Sequence, residues 1–108
     1  MPLSLMQELM GSKFYKSQYT DVYIRLCDVK GTFSEHSIQK LITEDRGYDW
    51  TGLLHDIDKN GLKELVEIIK GDGDYKVVDG NHRLKILQYL YPVYNTLKFK
   101  LKRYEANR

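Results

Sequence analysis

Hydrophobic spacing along the chain changes period several times, and each change predicts an element. Leu3, Leu5, Met6, Leu9 and Met10 recur at helical spacing and stop at Gly11. That pattern predicts a short amphipathic helix, with a lead-in over 1–17, laid on an open face of the core. Residues 19–29 are rich in β-branched and aromatic side chains, with Val22, Ile24 and Leu26 on one side and Tyr23, Arg25 and Cys27 on the other, which predicts a strand ended by Gly31. Thr32 and Glu35 have capping-box spacing, and Ile38, Leu41 and Ile42 supply an apolar stripe. A helix is therefore expected over 34–42, with Gly47 in the loop after it. A second helix over 51–59 buries Leu53, Leu54 and Ile57 and closes at Asn60-Gly61, where glycine accepts a left-handed turn.

Leu65, Val66, Ile68 and Ile69, then Tyr75, Val77 and Val78, flank Gly71-Asp72-Gly73-Asp74 and read as a β-hairpin. After Asp79-Gly80 the period lengthens. Leu84, Leu87 and Tyr91 share one face of a helix over 81–91, with Ile86 and Leu90 beside them, and Pro92 stops it. Last, Leu97, Phe99 and Leu101 alternate with Lys98, Lys100 and Lys102, the pattern of a half-exposed strand with one lysine face. Strands alternating with helices, without a repeat or linker, predict one α/β (α+β) domain over 1–108, a small mixed sheet flanked by helices.

The 108 residues, 42% hydrophobic and 30% charged, are those of a globular domain. Such a chain buries about two thirds of the surface its unfolded form exposes, enough for a core without staples. No run of about 18 apolar residues is present, so no membrane span is expected, and a cytoplasmic location is the default. One cysteine, Cys27, excludes an internal disulfide and a Cys-x-x-Cys site, and reads as a small buried hydrophobe. The net charge of +2 is uneven: residues 1–97 hold 12 Lys or Arg against 14 Asp or Glu, and residues 98–108 hold five against one. Any nucleic-acid contact is therefore expected to be local.

Chemistry concentrates where the apolar strand ending in Val77-Val78 delivers Asp79-Gly80-Asn81-His82-Arg83 to the mouth of a helix. Unpaired N–H groups and the positive end of the helix dipole favour an anion there, and Gly80 allows close approach of the backbone. Arg83 adds a two-pronged donor and His82 a titratable one. The plainer alternative has Asp79 or Asn81 capping the helix, Gly80 making the turn, and His82 and Arg83 solvated.

The order Leu53-Leu54-x-x-Ile57-x-x-x-Gly61-Leu62, Leu65-Val66-x-Ile68 and Tyr75-x-Val77-Val78-Asp79-Gly80-Asn81-His82-Arg83-Leu84 resembles the core of the ParB/sulfiredoxin superfamily, over about residues 53–102. The resemblance implies a nucleotide-binding domain, with phosphates resting on Gly80, Asn81, His82 and Arg83. Sulfiredoxins have a cysteine between the glycine and the His-Arg pair, where this chain has Asn81, so their redox chemistry is not expected. Partition proteins of the superfamily carry paired arginines in place of His82-Arg83 and append further domains, for which 108 residues leave no space. Leu65 replaces the usual proline. The Asp-Gly-x-His-Arg form is closest to the phosphotransferase branch. This implies Mg²⁺-dependent hydrolysis or phosphoryl transfer from a nucleoside triphosphate, ATP or CTP, with Asp79, His82 and Arg83 catalytic and Asp79 holding Mg²⁺ or accepting a hydroxyl proton. A non-catalytic nucleotide- or DNA-binding accessory protein and a DNA nuclease are the alternatives, and an isolated domain of this kind suits a phage or plasmid.

Asp56, Asp58, Asn60, Gly61 and Glu67 satisfy the spacing of an EF-hand calcium loop. Lys63 and His55 occupy positions that are usually apolar, no second loop follows, and the preferred reading is coincidence on a polar helix end. Lys98, Lys100, Lys102 and Arg103 are the candidate nucleic-acid contacts, set against the reading that lysines on an edge strand resist edge pairing, which is favoured. Tyr89, Tyr91 and Tyr94 are expected to pack with their hydroxyls at the surface, and an aromatic near the turn would stack a nucleotide base.

Overall fold

The computed structural model describes residues 18–103, so the predicted N-terminal helix lies outside the described residues. Within them run β1 (Gln18–Arg25), a 3-10 turn (Leu26–Asp28), β2 (Val29–Lys30), α1 (Ile38–Glu44), α2 (Trp50–Asn60), β3 (Glu67–Lys70), β4 (Tyr75–Asp79), α3 (Asn81–Leu90) and β5 (Thr96–Arg103). The strands form one sheet in the order β1-β5-β3-β4-β2. It is mixed, as expected: β1 with β5 and β3 with β4 are antiparallel, β3 with β5 and β2 with β4 parallel.

Alternation explains which face is covered. Val22 pairs with Phe99 and Ile24 with Leu97, and this side shares one apolar cluster with Ile68 and Val77 of the hairpin and with Ile38, Leu41, Trp50, Ile57, Leu84 and Leu87 of the helices. Phe99 and Ile68 are fully buried at the sheet centre. No helix of the described residues is long and apolar enough to cross a membrane.

Four expectations need correction. The strand over 19–29 is broken: β1 stops at Arg25, and β2 pairs at the opposite edge of the sheet. The chain crosses over between them, with the Leu26 and Cys27 amides donating to the carbonyls of Asn95 and Val93 at 3.0 and 2.8 Å. That turn buries Leu26 and leaves Cys27 exposed, contrary to the sequence reading. The helix expected over 34–42 starts at Ile38, because the Ser37 hydroxyl, rather than Thr32, caps it by accepting the Lys40 N–H at 3.1 Å. Ser34 instead accepts the Gly31 N–H at 3.0 Å within a preceding turn. Strand β5 is no edge strand, since it is hydrogen-bonded to β1 and β3 on its two sides. Resistance to edge pairing therefore does not explain its lysines.

The helix over 51–59 is present one residue longer at each end, capped by Asp49, whose carboxylate accepts the Gly52 N–H at 2.9 Å, and ended by Gly61 at φ 79°. Asp56, Asp58 and Asn60 all belong to this helix, and the Asn60 amide donates to Asp56 at 2.9 Å. The calcium-loop spacing thus falls on helix rather than loop.

Candidate functional site

Tyr75 and Val77 of β4 pack on the core, so alternation carries Asp79 to the same, helix-bearing side at the strand's end. The chain then turns through Gly80 at φ 107°, ψ 30°, a left-handed conformation that opens α3. A Cβ there would lie 2.7 Å from Arg83 Nη2 and 3.0 Å from Nε. The left-handed backbone favours glycine, and any Cβ would also have to displace the flexible end of Arg83 folded onto it.

Helix α3 has no side-chain cap. Neither Asp79 nor Asn81 takes that role, so of the plainer reading the structure keeps Gly80 as the turn residue and not the side-chain cap. The Asn81 side-chain Oδ1 accepts the Thr32 N–H at 2.8 Å, which ties the start of α3 to the loop before α1. Arg83 reaches Asp79 at 3.4 Å and Glu64 at 3.7 Å, both longer than an ideal charged hydrogen bond, and its buried Nε has no partner among the described residues. The guanidinium therefore retains donor capacity. Asp79 is mostly exposed and, like Glu64, forms an ion pair with this arginine alone among the described residues.

His82 lies in an aromatic nest. Its ring stacks on Tyr48 with centroids 3.8 Å apart and planes at 21°, and the Phe33 and Trp50 rings stand 5.0 Å away. Trp50 is fixed by donating its indole N–H to Asp45 at 2.9 Å and by an edge contact with Phe33. Burial among these rings pushes the imidazole below its ordinary pKa, against a weaker upward pull from Asp45. At neutral pH His82 is an uncharged ring able to accept a proton.

Asp79, Gly80, Asn81, His82 and Arg83, with Tyr48 and Val78, line a cavity of about 310 Å³, at the small end of ligand sites. The predicted turn residues are thus brought together. The lysine stripe is not among them: Lys98, Lys100 and Lys102 alternate with core-facing Leu97, Phe99 and Leu101 and so occupy the other face of the sheet. Lys98 pairs with Asp21 at 3.9 Å, Lys100 lies over the Tyr19 ring, and Arg103 donates to Thr20 at 3.2 Å. Tyr89, Tyr91 and Tyr94, expected to pack, are exposed at the other end of α3. Sequence reasoning missed Tyr48, Phe33, Trp50 and Glu64. The run Tyr48-Asp49-Trp50 before a capped helix was the available signal, but nothing local ties it to His82.

The small mixed sheet with helices packed on one face is an α+β fold of the sulfiredoxin type. Within that type, the crystal structure of sulfiredoxin from Arabidopsis thaliana is similar to this chain, with a TM-score of 0.51, 22% sequence identity, and coverage of 80% of this chain and 86% of that one. The similarity is one of fold. No family model matches the chain, and no curated protein sequence matches it significantly.

Proposed function

We propose that the 79–83 turn binds a nucleoside triphosphate, ATP or CTP, and hydrolyses it or transfers its terminal phosphoryl group. The observation that carries this reading is the uncapped N-terminus of α3 at left-handed Gly80, beneath an arginine with an unsatisfied Nε. A Cβ would fill the cradle, and phosphate oxygens match the donors left open around it. Asp79 and Glu64, which flank Arg83, would hold Mg²⁺ together with the substrate phosphates, as one or two carboxylates commonly do. The metal would neutralise charge developing on the phosphates.

The protein's own groups divide the remaining work. Backbone amides of the first α3 turn and Arg83 hold the phosphates in line. Phosphate oxygens draw Arg83 from Asp79, which frees that carboxylate. The acceptor, water or a hydroxyl compound, forms a bond to the terminal phosphorus as the bond to the bridging oxygen breaks. Its proton passes to the neutral His82 ring or to Asp79, and the nucleoside diphosphate leaves.

Thermal shift and calorimetry with ATP, CTP, GTP and ADP plus Mg²⁺, on the native chain and Arg83→Ala, test this directly. A nucleotide-specific rise in melting temperature, lost in Arg83→Ala and accompanied by Arg83-dependent phosphate release, is expected. Binding without turnover would reassign the domain as a nucleotide-binding accessory module. No response to any nucleotide would overturn the reading, and metal-dependent nicking of plasmid DNA in its place would favour a nuclease.

A further inference from the structure

Among the described residues, Tyr48 lines both the cavity at the 79–83 turn and a second hollow of about 400 Å³ beside the start of α2. One face of its ring is covered by the His82 imidazole at 3.8 Å, and the buried Trp50 ring meets it edge-on at 5.2 Å. Tyr48 is nevertheless 37% exposed. The second hollow is lined by Tyr48 and not by His82, so it opens on a part of the tyrosine away from the stacked imidazole. The second hollow is rimmed by exposed Thr43, Arg46, Asp49 and Thr51, which combine hydroxyls, a guanidinium and a carboxylate. A free aromatic face beside a phosphate cradle, with donors and acceptors around it, matches a planar heteroaromatic ring tied to a polyphosphate.

We propose that Tyr48 is the nucleobase platform of this domain: the base of a nucleoside triphosphate extends the His82–Tyr48 stack on the free face of the tyrosine, and Thr43, Arg46, Asp49 and Thr51 meet its edge. The inference rests on the reading of the 79–83 turn as a phosphate site, and it adds what that reading lacks, a residue that distinguishes a nucleotide from bare polyphosphate. Trp50 does not compete for the role, being almost completely buried.

Calorimetric titration of the whole chain with ATP, CTP and inorganic tripolyphosphate in Mg²⁺, on the native protein, Tyr48→Leu and Tyr48→Phe, tests the assignment. A nucleotide is expected to bind the native chain more tightly than tripolyphosphate. Tyr48→Leu should weaken it by about 5- to 150-fold, the range for losing one base–aromatic stack, while tripolyphosphate affinity stays within about twofold and Tyr48→Phe behaves as native. Equal affinity for nucleotide and tripolyphosphate in the native chain overturns the platform and leaves the phosphate site standing, as does a Tyr48→Leu chain that still prefers the nucleotide. Equal loss of both ligands in Tyr48→Leu also overturns it, the ring then serving only to support His82. Binding of none of the three overturns both readings. The native chain supplies a check independent of any variant: base protons of the bound nucleotide should shift upfield in the tyrosine ring current, and unshifted base protons would refute the stack.

Discussion

At the scale of single residues, Gly80 and Arg83 depend on each other. The left-handed backbone costs an alanine about 1–2 kcal/mol, and the added Cβ meets the guanidinium at 2.7 Å. Gly80→Ala is therefore expected to lower the urea midpoint and to abolish stabilisation by nucleotide. Gly61→Ala, at φ 79°, ψ −176°, a region open essentially to glycine alone but with open space around it, makes the natural comparison: it should lose at least as much stability and keep the nucleotide response. His82 makes a second prediction with a definite sign. Its folded pKa lies below the ordinary 6.5, so on acidification the unfolded chain takes up the proton first. Stability is then insensitive to this group above 6.5 and falls as pH drops from there to the folded value, below which the loss is complete. Melting temperatures between about pH 5 and 7 should decline less steeply in His82→Gln than in the native chain; parallel curves would refute the role given to burial.

At the scale of elements, the turn is held in place from outside itself. Asn81 opens α3 but uses its side chain on the Thr32 amide in the loop before α1, and Phe33 from that loop packs against His82. Asn81→Ala leaves the Thr32 N–H without its partner and should cost about 1 kcal/mol. Hydrogen exchange at Thr32 should rise well before exchange in β3 and β4; unchanged protection there would remove the proposed link between loop and helix. The same geometry explains why α1 begins only after Ser37. Residues 31–36 form the turn that presents Phe33 and Thr32 to α3, and a helix from residue 34 would withdraw them.

At the scale of the whole molecule, the sheet order sets what each part is for. Placing β3 between β4 and β5 puts Ile68 in the centre, fully buried, facing the cluster that seats all three helices. Ile68→Ala should cost about 2–5 kcal/mol, measured by denaturant unfolding, and should weaken nucleotide binding only through the fraction unfolded. A variant as stable as native would contradict the core assigned here. Interior placement of β5 also gives its lysines neighbours across the sheet, Asp21 and Tyr19 among them. They belong to a face separate from the turn, so mutations there and at Arg83 should act independently.

The turn was the most legible part of the sequence. The apolar run through Val78, then Asp79-Gly80 and a change to helical period, gave β4, the glycine junction and α3 nearly to the residue, because strand alternation, glycine chemistry and helical spacing are all local. The hairpin and α2 were legible for the same reason. The N-terminal strand was not: alternation continues through Leu26, and only the need to carry the chain from one sheet edge to the other breaks it. Thr32 and Glu35 offered a cap that lost to Ser37, since the loop's contacts with Asn81 and His82 outweigh a local signal. The lysine strand was read correctly as a strand and wrongly as an edge, because residues carry their facing but not their neighbours. The sequence by itself determined most of the elements, the mixed α+β class and the strand–glycine–helix turn at 79–83, through short-range period and backbone preference. Only the tertiary structure decided the sheet order, the burial that lowers the His82 pKa, the uncapped helix under Arg83 and the place of Tyr48, because each depends on residues far apart in the chain meeting across one core.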